Sequence, residues 1–270
     1  MKHVAKKRFG QNFLTDQAVI ASLIDAINPH KNQSIVEIGP GLGALTKPLL
    51  KKIDHLHVVE IDRDIVSWMQ TEYAKPSYAS NSITIHNVDA LKFDLSQLGN
   101  NLRVTGNLPY NISTPILFHL LENLACITDM HFMLQKEVVE RMVASPSTPA
   151  YGRLSVMLQY YLSMEYLITV PPEAFEPAPK VESAFVRCVP HAVLPYIAAD
   201  TVLFAKIVMA AFGQRRKTIR NTLKEFLSDN DWVELNNDTQ IKIGSQLRAE
   251  NLSVRDYMLL TNYIVSKFND

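Results

Sequence analysis

The stretch Glu37-Ile38-Gly39-Pro40-Gly41-Leu42-Gly43 follows a short apolar run and precedes a helical pattern. Glycine at every second position lets the backbone turn sharply and lets a ligand approach it closely. The spacing is GxGxG, not the GxGxxG of a dinucleotide site, and a lone glycine-rich stretch also fits a plain tight turn. The stretch therefore predicts a strand–turn–helix unit whose turn is a candidate ligand site.

Short runs of strand character alternate with helical patterns around this turn. They lie at residues 35–38, 57–61, 83–88, 103–105 and 130–134. Strands separated by helices at this rhythm are typical of βαβ units and a parallel sheet. Two further runs, 166–170 and 184–189, flank a proline-rich loop without a helical pattern, so we expect them to pair antiparallel. The predicted fold is α/β, a doubly wound Rossmann-like sheet that is mostly parallel with one antiparallel strand pair.

The C-terminal part of the chain departs from this alternation. Pro190 and Pro195 indicate a linker, and residues 201–268 carry helical patterns throughout. We predict two domains, one over 1–190 and a small all-helical one over 191–270.

Composition excludes several classes of protein. The chain has 270 residues, 47% of them hydrophobic, but no apolar stretch approaches the roughly 18 residues of a membrane span. The basic N-terminus lacks the apolar run of a secretory signal. Cys126 and Cys188 are too few for a disulfide framework, so we expect a cytoplasmic protein. The eight histidines form no HExxH pattern and no paired CxxC accompanies them, so we expect no metal site.

The formal net charge is zero, but the basic residues are clustered. Residues 1–8 and 214–224 contain several Lys and Arg and no acid. On one continuous helix, Arg216, Lys217, Arg220 and Lys224 would fall within an arc of roughly 100°. A solvated charged face is the usual explanation of a basic stripe. The absence of acids favours a defined anionic partner instead, because solvated faces normally mix signs.

Two carboxylates follow the next two predicted strands. Glu60 lies 21 positions after Gly39, where an acidic side chain can accept hydrogen bonds from ribose hydroxyls in NAD and other nucleosides alike. Asp89 ends the third strand, where it can accept a hydrogen bond from the amine of adenine, although a carboxylate there is more often a helix cap. Three such features at successive strand ends favour an adenosine-containing ligand.

The sharpest chemical signal is Asn107-Leu108-Pro109-Tyr110, after the fourth strand. Methylating an adenine amine is difficult because the nitrogen lone pair is delocalised into the ring. Two acceptors that hydrogen-bond to the two N–H groups can point this lone pair at the methyl group to be transferred. The Asn107 side-chain oxygen and the Leu108 backbone carbonyl can supply them, while Tyr110 can stack on a base taken out of its helix. Such catalysis is mainly positioning and electrostatic stabilisation. The alternative is an Asn-Pro turn with a packed tyrosine.

Six segments extend a recognisable pattern over nearly the whole chain. They are Lys7-Arg8-Phe9-Gly10-Gln11-Asn12-Phe13-Leu14, the glycine-rich stretch, Asn107-Leu108-Pro109-Tyr110-Asn111-Ile112-Ser113-Thr114-Pro115, Tyr151-Gly152-Arg153-Leu154-Ser155-Val156, Phe175-Glu176-Pro177-Ala178-Pro179-Lys180-Val181-Glu182-Ser183 and Phe212-Gly213-Gln214-Arg215-Arg216-Lys217-Thr218. Together they closely resemble the ribosomal RNA adenine dimethyltransferase family, and within it the type that acts on small-subunit rRNA.

This resemblance implies a class I methyltransferase catalytic domain over 1–190, a helical RNA-docking domain over 191–270 and S-adenosyl-L-methionine as cofactor. Asn12 and Leu14 would contact the cofactor, together with Gly39, Gly41, Glu60, Asp89 and Asn107. Phe175 would face the target adenine and sandwich it against Tyr110, whereas spacing alone suggests a loop anchor. The implied reaction places two methyl groups on each of two adjacent adenosines near the 3′ end of 16S rRNA, within an immature 30S particle. We expect a monomer without metal or membrane.

Three other functions remain as alternatives. A large-subunit rRNA methyltransferase of the antibiotic-resistance type is disfavoured by the long continuation after Tyr110 and by the helical tail. A DNA adenine or protein glutamine methyltransferase would carry proline where this chain has Leu108. A ribosome-assembly factor without catalysis is disfavoured by the intact glycine-rich and Asn107 motifs.

Overall fold

The computed structural model describes residues 12–75, 78, 82–238 and 241–269. The predicted basic cluster at 1–8 and the start of the N-terminal motif lie outside these ranges. Within them, the strands are β1 (Phe13–Leu14), β2 (Ser34–Ile38), β3 (His55–Val59), β4 (Ser82–His86), β5 (Leu102–Asn107), β6 (Ile127–Gln135), β7 (Leu162–Val170), β8 (Phe175–Glu176) and β9 (Ser183–Pro190). The α-helices are α1 (Gln17–Ile27), α2 (Thr46–Leu50), α3 (Arg63–Tyr73), α4 (Ser113–Leu121), α5 (Lys136–Val143), α6 (Arg153–Tyr161), α7 (Thr201–Phe212), α8 (Ile219–Thr222), α9 (Asp229–Asn237) and α10 (Val254–Asn269).

A sheet of seven of these strands has the order β4-β3-β2-β5-β6-β9-β7. The pairs β2–β3, β2–β5, β3–β4 and β5–β6 are parallel, and β6–β9 is antiparallel. The two runs predicted at 166–170 and 184–189 are neighbours in the sheet as β7 and β9, and β7 begins earlier, at Leu162. The predicted mostly parallel Rossmann-like α/β fold is confirmed.

Strand order reverses at β2, which pairs with β3 on one side and with β5 on the other. In doubly wound sheets, ligands bind in the crevice at the carboxyl ends of the strands on either side of such a reversal. Both predicted motifs lie there, because the glycine-rich turn follows β2 and Asn107 ends β5. Four of the five β2 residues are buried, as expected for a parallel strand covered on both faces.

A second, two-stranded sheet joins the start of the described chain to the loop after β7. Strand β1 pairs antiparallel with β8, with Leu14 opposite Phe175. Just beyond, the backbone N–H of Thr15 donates to the carbonyl of Ala174 at 2.8 Å. The sequence does not predict this pairing, which brings the segment before α1 to the rim of the main sheet's ligand edge.

The chain divides into two compact units. One contains the described residues up to Val139 together with Met164–Pro190, and the other contains Glu140–Ser163 together with the residues from His191 onward. In the second unit α6, α7 and α10 pack on one another, and the rings of Tyr160 and Phe204 lie 4.6 Å apart. Residues 140–163 thus pack with the C-terminal helices. The predicted boundaries of 1–190 and 191–270 stay a prediction about functional domains.

The prediction of one continuous helix through 214–224 is wrong. Helix α7 ends at Phe212, residues 214–217 form a turn, and α8 spans four residues. The backbone at this point makes hydrogen bonds to the 247–248 segment and not along a helix. Thr218 forms an antiparallel β-bridge with Arg248, and the N–H of Ile219 donates to the carbonyl of Leu247 at 2.8 Å. The basic residues of this run therefore do not share one helical face.

No helix in the described ranges is long and apolar enough to cross a membrane. Among the same residues, no group of three or more His, Cys, Asp or Glu side chains is placed to hold a metal ion.

Candidate active site

A cavity of about 630 Å³ opens at the carboxyl ends of β2, β3, β4 and β5. Its walls come from the segment before α1, the glycine-rich turn and the residues that follow the next three strands. The predicted site residues that line it are Asn12, Leu14, Gly39, Gly41, Glu60, Asp89, Asn107, Leu108 and Tyr110. Phe175 is not among the lining residues.

The glycine-rich turn adopts left-handed backbone conformations that are strained for any residue with a Cβ atom. Gly41 has φ +54° and Gly43 has φ +78°, both in the left-handed region. A Cβ on Gly41 would come within 3.2 Å of the Phe13 ring, and one on Gly43 would overlap the Tyr73 hydroxyl. The turn is thus packed tightly from beneath and from the N-terminal segment, and its own backbone forms the floor of the cavity.

Glu37, at the end of β2, is a buried acid that the sequence motif contains but to which we assigned no role. Its side chain is 2% exposed and accepts a hydrogen bond from the Thr46 hydroxyl at 2.6 Å. Burial raises the pKa of Glu37 to about 7, against the lowering effect of the Thr46 hydrogen bond. The only sequence signal was an acidic residue between the apolar residues of a predicted strand.

Glu60, immediately after β3, is 7% exposed. Its Oε1 accepts a hydrogen bond of 2.8 Å from the backbone N–H of Asp62, and its own carbonyl accepts one of 2.9 Å from Asn87. Burial raises the pKa of Glu60, while hydrogen bonds from backbone N–H groups lower it. The carboxylate is therefore held in place at the cavity wall by backbone N–H groups, and its two oxygens together offer about four acceptor sites.

Asp89 does act as a cap, the alternative that the sequence left open. Its Oδ1 accepts a hydrogen bond of 3.0 Å from the N–H of Leu91 at the start of a 3₁₀ turn, Ala90–Lys92. A carboxylate has two oxygens and about four lone pairs, so capping leaves acceptor capacity for a ligand. The two interpretations of Asp89 are compatible.

Asn107 lies at the end of β5, and its side-chain amide is fixed by the N-terminal segment. Its Nδ2 donates to the backbone carbonyl of Asn12 at 3.2 Å. This bond orients the amide, because the nitrogen faces the carbonyl and the oxygen is left as an acceptor. Next to it, the N–H of Leu108 donates to Met133 at 3.1 Å and the Leu108 side chain is buried, so the turn is anchored in the sheet.

Tyr110 follows in the same turn and is half-buried at the cavity. Its hydroxyl shares a hydrogen bond of 2.7 Å with the hydroxyl of Ser183 on β9. This partner could not be predicted from the sequence, because the two residues are brought together only by the sheet. The Tyr110 ring is thus held at its far end by a residue outside its own motif.

Phe175 lies apart from these residues. Its ring is 4% exposed and belongs to the hydrophobic core that also contains Leu14 and Ala174. In this structure it anchors the pairing of β1 with β8. A role for Phe175 against the target adenine stays a prediction.

Comparison with known proteins matches nearly the whole chain to one family. The family model described as ribosomal RNA adenine dimethylase matches residues 2–266. The chain belongs to the ribosomal RNA adenine dimethylase family.

Two relatives named Ribosomal RNA small subunit methyltransferase A are similar over full length. The protein from Methylobacillus flagellatus is 63% identical over 266 residues, which cover 98% of this chain and 100% of the relative. The protein from Thiobacillus denitrificans is 53% identical over 265 residues, with 98% and 100% coverage.

Two solved structures share the fold. A dimethyladenosine transferase from Plasmodium falciparum superposes with a TM-score of 0.73 at 22% identity, covering 95% of this chain and 97% of that one. The 23S rRNA methyltransferase ErmE gives 0.72 at 22% identity, with 94% and 100% coverage. At this identity the likeness shows the fold alone.

A ribosomal RNA adenine dimethylase uses S-adenosylmethionine as methyl donor, and the cavity suits that group. The donor carries a ribose diol and an adenine amine, which need acceptors, and Glu60 and Asp89 supply buried or half-buried carboxylates. Gly39 and Gly41 line the cavity without a side chain, so a ligand can approach their backbone closely. The chain is thus an S-adenosylmethionine-dependent methyltransferase of ribosomal RNA.

Proposed function

We propose that the protein dimethylates the N6 atoms of two adjacent adenosines near the 3′ end of 16S rRNA, within an immature 30S particle. The observation that carries the proposal is the hydrogen bond between Asn107 and Asn12, because it orients the amide oxygen as an acceptor inside the cofactor cavity. The similarity to small-subunit methyltransferases over full length supports the choice of substrate.

The residues of the turn after β5 would act on the target base. Asn107 Oδ1 and the Leu108 carbonyl would each accept a hydrogen bond from one N–H group of the adenine amine, which takes the nitrogen lone pair out of conjugation with the ring. Tyr110 stacks on the base once it has left its helix. When bound, S-adenosylmethionine supplies an electrophilic methyl group. No strong base is required, because the proton leaves after the nitrogen has become cationic.

The cofactor would be held by the cavity wall. Glu60 accepts hydrogen bonds from the ribose hydroxyls, Asp89 accepts one from the adenine amine, and Gly39 and Gly41 lie along the floor. Asn12 and Leu14 close the cavity from the N-terminal side. The pairing of β1 with the 174–176 segment supports this assignment, since it holds Leu14 and the residue next to Asn12 at the rim.

The second unit would dock the RNA. Arg216 and Lys217 are exposed in the turn after α7, and Arg248 lies next to them through its bridge to Thr218. Two other cations of the basic run have protein partners. Arg215 donates to the carbonyls of residues 149 and 151, and Arg220 pairs with Asp229. Of the remaining exposed cations in this run, we assign phosphate contacts to Arg216 and Lys217, because these two lie beside Arg248. We further propose that the protein acts as a monomer in the cytoplasm, where small subunits are assembled.

The test is methyl transfer from labelled S-adenosylmethionine to three separate substrates: unmethylated small-subunit particles, large-subunit particles and duplex DNA. Label in two adjacent adenosines of small-subunit rRNA supports the proposal. Label only in large-subunit rRNA would show the antibiotic-resistance type of activity. Binding of small-subunit particles without label in any substrate would show an assembly factor without catalysis.

A further inference from the structure

The hydrogen bond between Tyr110 and Ser183 joins a residue at the cavity to one in the core. Tyr110 lines the cavity, whereas the Ser183 side chain has no exposed surface. Their hydroxyl oxygens are 2.7 Å apart, which is an ordinary O–H···O distance. Nothing in the motif around Tyr110 requires this partner, since it comes from another strand.

The backbone of Ser183 is held in place by the sheet. Ser183 is the first residue of β9, which lies between β6 and β7 in the sheet, and it pairs with Gln135. The residue before it is also tied down, because the carbonyl of Glu182 accepts the N–H of Lys136 at 3.0 Å. A hydroxyl on such a backbone can hold a partner with little movement of its own.

Tyr110 is fixed at its other end by its own turn. The Ser113 hydroxyl donates to the Tyr110 carbonyl at 3.1 Å, so the backbone is held, but a tyrosine ring still rotates about two side-chain torsions. The bond to Ser183 restrains both torsions. Burial raises the pKa of Tyr110, so the phenol stays neutral and keeps its hydrogen-bonding proton.

We infer that Ser183 is a positioning residue, whose hydroxyl sets the orientation of the Tyr110 ring and thereby the stacking plane of the target adenine. This inference rests on the proposed function, in which Tyr110 receives that base. A merely structural hydroxyl would stabilise β9 and leave catalysis unchanged. A positioning hydroxyl acts on turnover, because misplacing a reactant lowers the rate of the chemical step.

The test is a double-mutant cycle of Ser183→Ala and Tyr110→Phe, measured as methyl transfer to unmethylated small-subunit particles. Ser183→Ala should lower kcat by about 3- to 10-fold, the effect of losing one neutral hydrogen bond. The KM for particles and the cofactor Kd should change by less than about twofold, because neither binding site is removed. In the Tyr110→Phe background, Ser183→Ala should cause no further loss, since the bond is already absent.

Two further variants separate positioning from stability. Ser183→Thr retains a hydroxyl and should recover most of the lost kcat. Thr105→Ala removes another buried hydroxyl, which donates to His131 on the neighbouring strand at 3.0 Å, and should lower the unfolding midpoint without lowering kcat.

If the double variant lost kcat by the product of the two single losses, the inference would be overturned. A loss of kcat in Thr105→Ala equal to that in Ser183→Ala would overturn it as well. In either case an active wild type leaves the proposed function standing. A wild-type protein that methylates no small-subunit particle would overturn both.

Discussion

The side-chain amide of Asn107 donates a hydrogen bond to the backbone carbonyl of Asn12, so the end of β5 and the segment before α1 share one polar contact. The contact uses the amide nitrogen, so the amide oxygen of this cavity-lining residue remains available as an acceptor. A residue of the proposed catalytic turn is therefore oriented by a residue of the proposed cofactor segment.

We predict that Asn107→Ala lowers turnover by two or more orders of magnitude, the scale observed when a positioned polar group is lost at a reaction centre. The cofactor Kd should rise far less, because Glu60 and the glycine-rich turn remain. Single-turnover methylation and calorimetry measure the two quantities. Equal losses in both would mean that Asn107 mainly holds the cofactor.

Glu60→Gln should weaken cofactor binding by about 1.5–3 kcal/mol, the range for a hydrogen bond to a charged group. Glu60 is nearly buried at the cavity wall, so water cannot replace the lost interaction. Glu234→Gln is the control, because Glu234 pairs with Lys267 and does not line the cavity. Unchanged affinity by calorimetry in Glu60→Gln would remove this residue from the site.

Gly43→Ala should destabilise the fold by about 1–3 kcal/mol and weaken cofactor binding as well. Alanine at this position would have to adopt a left-handed φ of +78°, which strains its backbone. Its Cβ would also overlap the buried Tyr73 hydroxyl. Gly244→Ala is the matched control, since its added Cβ would meet its nearest neighbour, Leu247, at 3.9 Å. Urea unfolding compares them, and equal stability of the two variants would contradict the tight packing beneath the turn.

Glu37 should make stability depend on pH. Its folded-state pKa of about 7 exceeds the ordinary value of 4.5, so the folded state binds more protons between these values. The free energy of unfolding contributed by this group is therefore largest at low pH and falls as the pH rises from 4.5 toward 7.

Glu37→Gln removes that titration while keeping an oxygen for the Thr46 hydroxyl. The difference in unfolding free energy between variant and wild type should widen in favour of the variant as the pH rises through this window. Denaturant melts at several pH values measure it. Parallel curves for the two proteins would show that Glu37 is not protonated in the folded state.

RNA affinity should depend on Arg216 more than on Arg220. Arg216→Ala should flatten the slope of log K against log[salt] by roughly 0.7–0.9, the value for one lost phosphate contact. Arg220→Ala should have a smaller effect, because its guanidinium lies 2.9 Å from Asp229. Cofactor affinity should be unchanged in both. Equal slopes for the two variants would mean that the Arg220–Asp229 pair opens when RNA binds.

The features predicted well from sequence are those with local causes. Glycines at 39, 41 and 43 and the acids after two strands are recognisable because strand ends, turns and caps leave marks within a few residues. The structure brings Gly39, Glu60, Asp89 and Asn107 to one cavity for that reason. Once the strands are assigned, the sheet order places their carboxyl ends together.

The features that sequence missed depend on residues far apart in the chain. Strands of two residues, such as β1 and β8, are too short to show a periodic pattern in the sequence. They are recognisable as strands only because they pair with each other. The bond of Tyr110 to Ser183 likewise requires the finished sheet. The continuous helix through 214–224 failed because a helical wheel assumes an unbroken backbone, whereas Thr218 is drawn out of helix by its bridge to Arg248.

The pairing of β1 with β8 completes a closed loop of contacts that begins and ends in the turn after β5. From Asn107 the loop passes to Asn12 by a hydrogen bond, then along β1 and across to Phe175. It continues along the chain to Ser183 and returns by the hydroxyl bond to Tyr110, three residues from its origin. The N-terminal segment and the turn after β5 are therefore linked both directly and by way of β9, so the loss of either hydrogen bond leaves them connected through the other.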